Sequence, residues 1–188
     1  ATEIKFTTLP ANQMYNMRFE EWDGNSANAS GATQIWDNGN EAASMAGISP
    51  TTRTTTTATS GSQYAVQLKS ESAMGVLAAG SHFIGTFQEL VGIKGAKINF
   101  GKPYDSKPLT LKGYLSYSPA EITKTKSPYN DLKGQMDYCQ IYVVLADWPG
   151  GYFAVNTASD PKVLIDPKEG KDPYIIGYGS IEKNVNTN

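Results

Sequence analysis

Leu109-Thr110-Leu111-Lys112-Gly113-Tyr114-Leu115-Ser116-Tyr117 is the longest strict alternation in the chain. Leu109, Leu111, Gly113, Leu115 and Tyr117 fall on one side, and Thr110, Lys112, Tyr114 and Ser116 on the other. A period of two is the signature of a half-buried β-strand, so this stretch predicts one. Moving outward, Tyr64, Val66 and Leu68 alternate with Ala65, Gln67 and Lys69. His82–Phe87 is a further strand candidate, and Ile98 and Phe100 alternate with Lys97 and Asn99 before the turn Gly101-Lys102-Pro103. Tyr138–Asp147 is nearly continuous apolar, as a central strand covered on both faces would be. Met17–Trp22, Val163–Ile165 and Tyr174–Tyr178 read as shorter strands, and Gln34–Asn40 as a short apolar piece running into an Asn-Gly turn. Residues 49–62 are Thr- and Ser-rich, lack apolar partners, and read as a surface loop. Residues 41–47 and 87–92 each have room for one helical turn, and no stretch carries a sustained helical stripe. Eight or nine short strands between turns predict an all-β fold. The expected arrangement is an antiparallel β-sandwich of jelly-roll type.

Composition supports this and excludes other classes. The chain has 188 residues, enough for one domain. Charged residues are 18%, below the usual quarter or so, while Gly (18) and Tyr (11) are plentiful. A net charge of -2 with no basic stripe argues against nucleic acid as a partner. One cysteine, Cys139, rules out an internal disulfide, and within the apolar strand it reads as an inert buried thiol. With His82 the only histidine, a catalytic zinc has too few ligands. No apolar run is long enough to cross a bilayer as a helix. Ala1 opens the chain without a signal-peptide pattern, so the expectation is that any such peptide has been removed or was never present.

Several motifs occur together: Phe19-Glu20-x-Trp22, Ile35-Trp36-Asp37-Asn38-Gly39-Asn40, Ala78–Phe87, and Ile98-Asn99-Phe100-Gly101-Lys102-Pro103-Tyr104. Leu109-x-Leu111-Lys112-Gly113-Tyr114-x-x-Tyr117 and Ile141–Leu145 follow. In this order and spacing the chain resembles the putative carbohydrate metabolism domain family, jelly-roll domains of surface lipoproteins in Bacteroidetes. The resemblance covers about residues 17–181 and is most specific at FGKPY and LKGYxxY. It implies an exported protein at the cell surface, outer membrane or periplasm, with a lipid anchor upstream. Residues 1–16 would be an arm or the remnant of a preceding region, and 17–188 the jelly roll. It also implies a closing strand beyond Gly179 that this chain does not contain. The expected consequence is an unpaired edge near Phe19–Trp22, open to a strand from another chain.

The leading expectation is non-catalytic binding or handling of a poly- or oligosaccharide. Aromatic faces stack on the C–H faces of sugars while polar neighbours hydrogen-bond the hydroxyls. Trp148, in the turn Asp147-Trp148-Pro149-Gly150-Gly151-Tyr152, is the sharpest candidate. Tyr152, Tyr104, Trp36, Asp147 and Asn38 complete the expected ligand-binding set, against the alternative that Trp148 folds back as a cap. No catalytic residue is assigned. The order aromatic-Glu-x-Trp is similar to that of carbohydrate-binding jelly rolls in which this Glu holds a structural calcium, so Glu20 is the candidate metal ligand. No other cofactor is expected. Two alternatives remain open. One is a glycoside-active enzyme with a carboxylate pair, Glu20 with Asp147 being the available choice. The other is a structural or adhesin-type component completed by a donated strand.

Overall fold

The structure is a computed structural model that describes residues 12–57, 59–73, 75–92, 94–106, 110–167 and 172–187. Its strands are β1 (Trp36–Asn38), β2 (Thr51–Thr54), β3 (Ala65–Leu68), β4 (Glu71–Ala73), β5 (Val76–Ala78), β6 (His82–Val91), β7 (Gly95–Phe100), β8 (Cys139–Ala146), β9 (Phe153–Asn156) and β10 (Ile175–Lys183). A single short helix, α1 (Asn40–Ser44), and a 3-10 turn at Asn130–Leu132 are the exceptions. The fold is therefore all-β in class, and every strand pair described is antiparallel. Two units are described. One lies within Ala1–Thr110 and Trp148–Ile165, the other within Leu111–Asp147 and Asp166–Asn188.

The first unit is built on a four-stranded sheet in the order β1-β6-β7-β9. Two hairpins, β2–β3 and β4–β5, accompany it. Phe100 pairs with Gly85 and Phe153, and Ile98 with Phe87 and Val155. Directly paired residues share a face, so Phe87, Ile98, Phe100, Phe153 and Val155 form one apolar face. Trp36, Ile84, Thr86, Asn99, Ala154 and Asn156 leave the other. Gly85 has a reason: a Cβ there would lie 2.3 Å from the Asn99 carbonyl oxygen, so only glycine lets β7 approach.

Several expectations are corrected. Met17–Trp22 is not a strand. Asn16 and Phe19 have φ of 49° and 57°, and the Asn16 side chain ties the turn together. Its Oδ1 accepts the Glu20 and Glu21 N–H groups, and its Nδ2 donates to the Glu21 and Ala27 carbonyls. An Asn that offers both donor and acceptor can satisfy backbone groups that a strand ladder would otherwise claim. The unpaired strand edge expected at Phe19–Trp22 therefore does not form. The Thr-rich segment is not a mere loop. Thr51–Thr54 pairs with β3, and Thr51 is fully buried, its Oγ1 donating to the Ser81 carbonyl at 2.8 Å and accepting the Ser81 N–H at 3.3 Å. A β-branched side chain suits the strand, and the local bonds replace the missing apolar partners. Residues 41–47 contribute the helical turn at α1, but 87–91 continue β6 through an irregularity between Phe87 and Glu89. Val163 makes only an isolated bridge to Asn156.

In the second unit, β8 pairs with β10 alone among the described residues. It is thus not a strand covered on both faces: Ile141 and Val143 stand exposed, and Cys139 is half-buried rather than buried. The alternating stretch that predicts the longest strand forms no ladder over residues 111–117, with Tyr114 77% exposed, and Leu109 lies outside the described residues. Tyr117 instead exchanges two bonds with Thr187. Alternation marks a strand only where a neighbouring strand accepts its backbone groups.

Asn28 is buried, and its Oδ1 accepts the Ile35 and Trp36 N–H groups while Nδ2 donates to the Trp36 carbonyl and Ser26 Oγ. Asn28→Ala orphans these groups and should lower stability by about 2–3 kcal/mol. Urea unfolding measures this, and an unchanged midpoint would refute the clamp.

Candidate functional site

One part of the polar sheet face is closed by rings. The Trp36 ring stacks on His82 at a centroid distance of 4.9 Å and 4° between planes. Trp22 stacks on His82 at 6.5 Å, and Phe19 meets Trp36 and His82 edge-on at 5.0 and 5.4 Å. Trp36 is only 8% exposed and its Nε1–H donates to the Tyr15 carbonyl at 2.8 Å. Neither ring nitrogen of His82 has a hydrogen-bond partner among the described residues. Burial in this apolar box lowers the His82 pKa to about 4.

The Phe100–Tyr104 motif forms a corner. Gly101 has φ of 106°, and its missing Cβ would lie 3.3 Å from the Trp148 ring, which packs against Phe153 at 5.6 Å. Pro103 sits against Gly151, and the Tyr104 hydroxyl donates to the Asn12 carbonyl. The Lys102 ammonium donates to Thr86 Oγ1 at 2.9 Å.

Beyond the corner, the polar face remains open. A shallow trough of about 550 Å³ is lined by Gln88, Glu89, Lys97, Asn99, Tyr152 and Asn156, with Ala154 and Val155 along β9. Register explains the grouping. Asn99 opposes Ala154 and Lys97 opposes Asn156, while Tyr152 lies two residues before Ala154 on the same side. Ala154 adds little bulk, so the centre stays low. Tyr152 is 42% exposed at one end. At the other, Lys97 Nζ binds Glu89 Oε1 at 2.6 Å. Asn156 Oδ1 accepts the Ala158 and Ser159 N–H groups, which fixes its amide.

Of the residues singled out from sequence, only Tyr152 lines this trough. Trp148 folds back over Gly101 and is half-buried. Tyr104 braces the corner. Trp36 belongs to the closed box. Asn38 is buried, its Nδ2 donating to the Asn25 carbonyl and its Oδ1 capping the Asn40 N–H. Asp147 is exposed at the end of β8, its N–H donating to the Tyr174 carbonyl. Both Glu20 oxygens accept the Gln63 N–H, and one also accepts that of Tyr64. Such N–H donors do not fit the oxygen cage that calcium requires. Among the described residues no three His, Cys, Asp or Glu side chains gather as a metal group. Lys97, Asn99 and Asn156 line the trough without having been singled out from the sequence. Their signal was present for β7, where Lys97 and Asn99 alternate with Ile98 and Phe100.

A family model described as putative carbohydrate metabolism domain matches residues 5–187. The chain belongs to this family. Within it, FGKPY is accounted for by the corner that seats Trp148, whereas LKGYxxY is largely exposed. No curated protein and no solved structure matches the chain.

The box makes stability pH-dependent. His82 binds a proton less readily folded than unfolded, so its contribution is neutral above about pH 6.5. Stability then falls as pH drops toward 4, by as much as ~3 kcal/mol. His82→Phe should flatten this part of the profile in urea unfolding between pH 7 and pH 4.5. A wild-type slope that survives the substitution would show that His82 is not its source.

Proposed function

We propose that this chain is a non-catalytic glycan-binding module whose ligand lies along the trough on β6, β7 and β9. The observation that carries the reading is Tyr152, exposed and beside Asn99, whose amide has no hydrogen-bond partner among the described residues. An aromatic face with adjacent amides offers both interactions that a pyranose needs. Tyr152 to Asn156 spans about 13 Å of strand, the length of a short oligosaccharide rather than of one ring. The family's carbohydrate theme supports a saccharide, and the resemblance to surface lipoprotein domains supports an exported, cell-surface setting. A shallow site of this kind binds in the micromolar-to-millimolar range. Glu89 is the only carboxylate among the described residues lining the trough, and it is bonded to Lys97. Glycoside hydrolysis by the usual route needs two, so the geometry favours binding.

A glycan array followed by calorimetry on a retained glycan tests this. Tyr152→Ala should weaken binding about tenfold, the equivalent of ~1.4 kcal/mol, and Asn99→Ala severalfold. The reading fails if no glycan is retained, or if Tyr152→Ala binds as tightly as the native chain.

One observation favours a second reading, an assembly component completed by a strand from another chain. The described strands β8 and β10 pair only with each other, and Ile141, Val143 and Ile181 on one face are exposed. Light scattering during gel filtration should then show self-association that falls when Val143 becomes Lys. A monomer at all concentrations would count against self-assembly.

A further inference from the structure

We infer that the trough prefers an acidic saccharide, one carrying a carboxylate or sulfate. This inference rests on the glycan-binding reading above and specifies its ligand class. It starts from Lys102. The side chain is half-buried, and its ammonium has one described bond, to Thr86 Oγ1 at 2.9 Å. Among the described residues Lys102 has no carboxylate within ion-pair distance. An ammonium carries three donors, so two remain for a ligand.

Register places the partner of this charge next to the trough. Thr86 is directly opposite Asn99 in the β6–β7 ladder, so the two side chains leave the same face about 5 Å apart at Cβ. Asn99 lines the trough. The Lys102 ammonium is bonded to the cross-strand neighbour of Asn99, so it flanks the trough just outside the residues that line it. The one cation among the described lining residues, Lys97, is already neutralised by Glu89 at 2.6 Å. One positive charge is left over at the side of the floor, although the chain as a whole is at -2. Removing a cation partly from water without a counter-ion is unfavourable, and an anionic group on the ligand would restore the balance. Because the site is open, the attraction is screened by salt.

The test compares the native chain with Lys102→Met, which retains the aliphatic stem, on an array of neutral, uronate-bearing and sulfated glycans. Unchanged thermal melts establish that the variant is folded. The native chain should retain acidic glycans at least fivefold more tightly than neutral ones of the same backbone at low salt. That preference should shrink as NaCl is raised and vanish in Lys102→Met, with binding to neutral glycans unaltered. Retention of uronates alone or sulfates alone identifies which anion the ammonium takes. If neutral glycans bind equally well, with Tyr152 still required, the charge inference is overturned while the binding reading stands. Acidic preference that persists in Lys102→Met also overturns it. If nothing on the array is retained, both fall.

Discussion

The stack of Trp36 on His82 is the contact on which the rest of the first unit depends. Both residues come from paired strands, Trp36 from β1 and His82 from the start of β6. Their rings would lie wet on the sheet without the turn at 15–18, which brings Phe19 and Trp22 over them. That turn exists because Asn16 and Asn28 satisfy with their side chains the backbone groups that irregular chain leaves open. The benefit is a dry aromatic box. Its cost is a histidine with no hydrogen-bond partner for either ring nitrogen among the described residues.

Covering one part of a sheet face defines the other. Thr86, Asn99, Ala154 and Asn156 lie beyond the box on the same surface, and their side chains are small or polar. Strand β7 serves two purposes through its alternation: Ile98 and Phe100 join the apolar face, while Lys97 and Asn99 face the trough. The corner after it completes the arrangement. Gly101 lets the Trp148 ring settle, and Tyr152 emerges four residues later as the exposed aromatic. The side chain with the largest stacking surface thus holds the scaffold, and a smaller neighbour is presented to solvent.

The second unit shows a different balance. Among the described residues, every buried one falls in the first unit. The β8–β10 ribbon has well-matched pairs, such as Val144 with Tyr178 and Gln140 with Glu182, yet leaves apolar side chains exposed. Backbone pairing alone does not create a core, because two strands offer only two faces and no second layer.

Much of this was legible in the residues themselves. Alternation located β3 and β7, because side-chain direction in a strand follows from local geometry, and a nearly continuous apolar run located β8. The same alternation rule overstated Leu109–Tyr117, where the local pattern is present but, among the described residues, no partner strand is. It could not see that Asn16 would turn Met17–Trp22 away from extended backbone, since that depends on bonds to Ala27 and Glu21 reached only after folding. The site divides in the same way. The Asp147–Tyr152 turn was readable as carrying two aromatics next to a strand end. That Tyr152 rather than Trp148 stays exposed was not readable, because both are aromatic and both lie in that turn. Only the missing Cβ at Gly101, distant in sequence, decides which ring is covered. Sequence alone determined which side chains share a strand face, and the tertiary structure decided which parts of those faces remain in water.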